Sequence, residues 1–126
     1  YPLKGMSEEL LVVNVHVVNF TFNSSAVRRQ LEALSSIISQ HQGPVIVAGD
    51  FNTWNKSRKR AVDKKMSSME LEAVTFDPDN RTRFLNRQVD GVYYRGLEVV
   101  RSASIEVESS DHNPLEVHFR IAKQAG

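Results

Sequence analysis

The chain has 126 residues, a net charge of +1 and no cysteine. That length suits one domain with a modest core, and 40% hydrophobic with 25% charged residues is ordinary globular composition, which argues against disorder. The near-neutral balance gives no general pull toward nucleic acid or membranes, and the missing cysteines exclude disulfides, thiol nucleophiles and cysteine-based zinc sites.

Leu10 to Phe20 is rich in β-branched residues and reads as a strand buried on both faces. Ser24 or Ser25 caps a helix whose apolar stripe is Val27, Leu31, Leu34 and Ile37 or Ile38, and Gly43-Pro44 stops it. Pro44 to Ala48 is a short buried strand that delivers Gly49-Asp50-Phe51-Asn52 at its end. Strand, helix and strand in this order predict a crossover connection and a parallel pairing. Asn55 to Met69 reads as a second helix, with five basic residues between Arg58 and Lys65. A short strand is expected within Glu72 to Phe76, and a turn at Asp77 to Asn80. Val89 to Tyr94 and Leu97 to Val107 read as strands joined by a tight turn at Arg95-Gly96, a hairpin-like unit. Ser109 to Pro114 is a polar loop, and Leu115 to Ile121 alternates as a last strand before a tail expected to fray. No apolar run reaches the roughly 20 residues of a membrane span. Tyr1-Pro2-Leu3-Lys4 is not a signal peptide, and a cytoplasmic location is the expectation. The chain does not begin with Met, so a fragment of a longer protein is an open reading.

Polar residues gather near predicted strand ends: Asn14 with His16, Asp50 with Asn52, Asp90, and Asp111 with His112. Singly each has a bland reading. A histidine in a strand is more often a satisfied core or edge residue, Asp50 marks a strand-to-loop junction, and Asp111 suits a local turn. Asp90, flanked by apolar strand residues, is the least ordinary, because a carboxylate there is costly unless paired. Together the residues match what phosphoester hydrolysis needs: an oriented water, a cation for developing charge, and donors to nonbridging oxygens. In extended backbone Asp50 and Asn52 share a side. Asp90 followed by Asp111-His112 permits a carboxylate to fix an imidazole.

The motifs Asn14-Val15-His16, Gly49-Asp50-Phe51-Asn52, Val89-Asp90-Gly91-Val92 and Ser110-Asp111-His112-Asn113-Pro114 together resemble those of the endonuclease/exonuclease/phosphatase superfamily. Val18-Asn19-Phe20, Trp54, the basic helix and Tyr93 to Leu97 resemble its uncharacterised bacterial YafD-like branch. The resemblance implies a four-layer α/β/β/α sandwich that hydrolyses phosphodiesters or phosphomonoesters with Mg²⁺ or Mn²⁺. It also implies roles. Asp50 orients or deprotonates the attacking water, and Asn52 binds the phosphate. His112 contacts the scissile phosphate, Asp90 holds the ring of His112, His16 contacts a phosphate oxygen, and Asp111 lies near the metal. Asn14 suits a structural strand position as well as a functional one.

Domains of that family are about twice as long, and their first half carries a Gln-Glu motif whose Glu is the main metal ligand. Residues 1–126 resemble only the C-terminal half, with the expected fold being one mixed β-sheet with helices on one face. Glu8 and Glu9 belong to an expected hairpin turn and do not replace the missing Glu. Such a half leaves a sheet face open, so self-association or pairing with the N-terminal half is expected, and the isolated chain is expected to be nearly inactive. Four functions follow: a general metal-dependent phosphoesterase, a nuclease toward which the basic helix leans and from which the near-neutral charge leans away, a phosphatase or phospholipase-like hydrolase of phosphorylated small molecules or lipids, and a noncatalytic scaffold with the same fold. Trp54 suits core packing and base stacking equally.

Overall fold

Runs of β-branched residues and the Gly43-Pro44 break divide the first half as the sequence predicts, into β1 (Leu11–His16), α1 (Ser24–Ser39) and β2 (Val45–Asp50). A computed structural model describes residues 1–5, 7–16, 24–51, 56–77, 79, 81, 83–84, 87–88, 90–105 and 113–122. The second half supplies α2 (Lys56–Ser68), β3 (Glu72–Ala73), β4 (Arg83–Phe84), β5 (Arg87–Gln88), β6 (Asp90–Arg95), β7 (Leu97–Ser104) and β8 (Leu115–Ile121). Four strands form a mixed sheet in the order β1-β2-β6-β3. β1 and β2 are parallel, as the intervening helix requires, and β6 is antiparallel to β2 and β3. The first residues fold back as expected: Pro2 bridges Glu9, and the Leu10 amide donates to the Tyr1 carbonyl at 2.7 Å.

Alternation sorts the sheet side chains onto two faces. Val45, Val47 and Tyr93, with Leu11, Val13 and Val15 of β1, pack against Leu31, Leu34 and Ile38 of α1 and Val62 and Met66 of α2. Both helices therefore cover one face, as expected. On the other face Ile46, Ala48, Val92 and Tyr94 meet Val99, Leu115, Val117 and Phe119. That cover is a two-stranded antiparallel ribbon of β7 and β8. It corrects two expectations. The strand after Gly96 does not pair with β6 as a hairpin, and the helix-free face is not left wholly open. Gly96 has φ 72°, and Pro44 lies 3.1 Å from where a Cβ would stand, so the chain turns tightly and crosses onto the second layer. The ribbon's outer side is charged, with Arg120 on Glu98 at 2.6 Å and His118 on Glu116 at 2.6 Å, which suits solvent.

β1 also departs from expectation. Its residues alternate between half-buried and exposed, with Val12 37% exposed, because the ribbon covers β2 and β6 but not this edge strand. Residues 17–20 of the expected strand, and Val27 of the helix stripe as a side chain, lie outside the described residues.

α2 ends in a Schellman turn. The Leu71 amide bonds the Met66 carbonyl at 2.9 Å and the Glu70 amide bonds that of Ser67 at 3.0 Å, with Glu70 at φ 62° where glycine is usual. Arg95 then ties both helix ends to the sheet. Its guanidinium donates to the carbonyls of Met69 (3.0 Å), Ile38 (3.2 Å) and His41 (2.7 Å). α1 has no basic residue in its last turn, so Arg95 supplies the charge its carbonyl end favours. Arg95→Met keeps the aliphatic stem and strips these carbonyls of their donor. It is expected to cost about 2–3 kcal/mol in urea unfolding.

Candidate active site

The parallel and antiparallel registers bring three predicted site residues into one row. His16 stands opposite Asp50 across β1 and β2, and Asp50 stands opposite Asp90 across β2 and β6. Paired positions share a face, here the one that carries Ala48 and Val92 toward the ribbon. Asp50 and Asp90 are half-buried, and His16 is exposed at the uncovered edge. Asn14 lies on the same face two residues back and is also exposed. The row occupies the end of the sheet toward which β7 climbs. Ser102 Oγ bonds the Thr75 carbonyl at 2.5 Å there, and the Ile105 amide bonds the Pro114 carbonyl at 3.0 Å. The 105–114 connection therefore leaves and returns at the row's end of the fold. Its Asp111 and His112 lie outside the described residues, as do Asn52 and Trp54.

Gly49 makes the row possible. Its φ is 146°, and a Cβ there would lie 2.0 Å from the Val15 carbonyl oxygen. Only glycine lets β1 and β2 meet so closely one step before His16 and Asp50. Phe51, 2% exposed, buries its ring edge-to-face on Tyr93 with centroids 5.2 Å apart, which anchors the chain just past Asp50. Tyr93 in turn donates to Asp63 Oδ1 of α2 at 3.0 Å, and Lys59 pairs with the same oxygen at 3.0 Å. One basic residue of the helix is thus spent on structure.

Burial, then the charge and hydrogen bond of Asp63, push the Tyr93 phenol well above its ordinary value of 10.0, against a smaller pull from Arg81. The folded state keeps this proton where the unfolded chain loses it. The associated stability is complete below pH 10 and is lost as pH rises further. Tyr93→Phe is expected to cost about 1 kcal/mol at pH 7. It should also flatten the decline in stability above pH 10, read by chemical denaturation across that range.

Two flanking contacts were not visible in the sequence. Gln30 Nε2 donates to the His16 carbonyl at 3.2 Å, and Arg81 Nη1 donates to the Asp90 carbonyl at 3.4 Å. The row is thus held at both ends through its backbone. A lone Gln in a helix and an Arg beside a turn carry no spacing signal that singles them out.

Asp50 and Asp90 are hard oxygen donors of the kind Mg²⁺ and Mn²⁺ prefer. The set fits such an ion in kind but not in number. Among the described residues, no three His, Asp or Glu side chains are grouped to hold a metal. A separate acidic region lies at the opposite end of the sheet, where Glu8, Glu70, Glu72 and Glu98 border an open cleft of about 1240 Å³. Among the described residues no helix is long and apolar enough to cross a membrane.

The chain is 43% identical over 122 residues to a UPF0294 protein of Vibrio vulnificus (strain YJ016), covering 96% of this chain and 43% of that protein. A UPF0294 protein of Yersinia enterocolitica is 42% identical over 120 residues, 95% of this chain and 46% of its own length. The chain thus spans less than half the length of the curated relatives it matches. The crystal structure of a functionally unknown conserved protein from Enterococcus faecalis V583 superposes with a TM-score of 0.63 at 25% identity, covering 94% of this chain and 53% of the other. The UPF0294 relatives bear out the resemblance to the YafD-like branch. Residues 3–112 match the profile of the Endonuclease/Exonuclease/phosphatase family, and the chain belongs to that family.

Proposed function

We propose that the protein containing this chain is a metal-dependent phosphoesterase, and that His16, Asp50 and Asp90 form part of its reacting centre. The single-row register of these three residues carries the reading. Two carboxylates and an imidazole on one face, at the end of the sheet where Phe51 follows Asp50, are groups that hydrolysis by water requires. Asp50 orients the water and takes its proton. His16 and Asn52 donate to nonbridging oxygens. His112 donates to the charge that develops on the phosphate, and Asp90 holds its imidazole. A bound dication would supply charge neutralisation, and Asp111, with a Glu from residues beyond this chain, would help hold it. The face of β1 carrying Val12, Asn14 and His16 is where further residues of a longer polypeptide, or a second copy, pack.

A nuclease is the narrower reading. α2 follows the Asp50 motif directly, and its Arg60 and Lys64 are exposed. Lys59 is already engaged by Asp63, which thins the basic face.

The test is turnover of bis(p-nitrophenyl) phosphate, p-nitrophenyl phosphate and single-stranded DNA by the full-length protein with Mg²⁺ or Mn²⁺. Metal-dependent hydrolysis that EDTA abolishes is expected, with little from residues 1–126 alone. Steep salt sensitivity on DNA favours the nuclease. No turnover of any phosphoester by a folded, metal-loaded protein favours the scaffold.

A further inference from the structure

We propose that Arg81 is a positioning residue that fixes the Asp90 end of the site. Its side chain is only 19% exposed and makes a two-pronged pair with Asp79, Nε to Oδ1 and Nη2 to Oδ2, each at 2.8 Å. The Arg81 amide also donates to Asp79 Oδ1 at 3.3 Å, a third bond between the two residues. The guanidinium carbon lies 5.0 Å from the centre of the Phe76 ring, and Phe76 is itself buried. Held from the side and from one face, the group has one Nη1 donor aimed at the Asp90 carbonyl.

The segment that carries Arg81 is tied down before it arrives. The Val74 amide bonds the Val92 carbonyl at 2.8 Å and the Asp77 amide bonds that of Ser102 at 3.3 Å. Arg81 therefore joins β6, at the point where it presents Asp90, to Phe76 and Asp79, beside the Asp77 amide that bonds the ribbon. A planar fork is required. Lysine keeps the charge but cannot hold Asp79 with two bonds and reach Asp90 with a third. Because Asp79 already balances the charge, the role is geometric rather than phosphate binding.

The kinetic arm of the test rests on the phosphoesterase reading; the exchange arm does not. In the full-length protein, Arg81→Gln and Arg81→Lys should both speed amide exchange at residues 90–92 about tenfold, with β8 unchanged. Asp79→Asn should do the same, and the double variant should be no worse than either single one. Turnover should fall through kcat with KM held, and lysine should not rescue it. Unchanged exchange at 90–92, or normal exchange and turnover in Arg81→Lys, overturns the proposal. A wild-type protein that hydrolyses no phosphoester defeats the functional reading alone, and exchange still decides the role of Arg81.

Discussion

Asp50→Asn in the full-length protein is expected to lower phosphoester turnover about 10³-fold, the usual range for removing a positioned base. The substitution preserves shape at the end of β2 while removing the charge and replacing one acceptor oxygen with an NH₂ donor. The expected loss is in kcat, with KM changed less than about threefold, because phosphate binding is assigned to Asn52, His16 and His112. The thermal midpoint should stay within a few degrees of wild type, since Asp50 is only half-buried and sits at a strand end. Full activity in this variant removes Asp50 from the centre.

Gly49→Ala is expected to have the largest effect on stability, about 3 kcal/mol or more, measured by urea unfolding. Two penalties combine. The φ of 146° excludes a side chain, and the added carbon would stand 2.0 Å from the Val15 carbonyl oxygen and 2.9 Å from its nitrogen. Relief requires β1 to move off β2, which breaks the row between His16 and Asp50, so turnover should vanish with stability. Gly91, opposite Gly49 in the register, is the control. A Cβ there would meet the Phe51 and Tyr93 rings at 3.7 Å, ordinary contact, so Gly91→Ala should change stability by less than about 1 kcal/mol. Equal effects at the two positions would contradict this account of why the motif begins with glycine.

The sequence made much of this legible where local chemistry decides. The Gly43-Pro44 break and the apolar stripe of α1 place the first crossover, and the parallel pairing of β1 with β2 follows from it. Alternation then puts Asp50 on the face of Ile46 and Ala48. What no local pattern encodes is the layer a strand joins. Leu97 to Ser104 is apolar and β-branched enough to be a strand in either sheet; Gly96, pressed on Pro44, sends it to the ribbon. The two-sided apolar character of Leu10 to Phe20 suggested double burial, yet the place of β1 at the sheet edge leaves Val12 exposed. β4 and β5, two residues each, are too short for periodicity to register. Arg95 and Arg81 look like ordinary polar residues near turns. Their work depends on carbonyls more than 50 residues away for Arg95, at Ile38 and His41, and on an aromatic face for Arg81.

The central claim is that His16, Asp50 and Asp90 form one centre. Paramagnetic broadening by Mn²⁺ in the full-length protein, read residue by residue by NMR, tests it without assuming a substrate. Resonances of His16, Gly49, Asp50, Asp90 and Gly91 should broaden together at the lowest Mn²⁺ concentrations, and Asp50→Asn should weaken the whole set. Broadening confined to Glu70, Glu72 and Glu98 at the far end of the sheet, with Asp50 and Asp90 untouched, would contradict it.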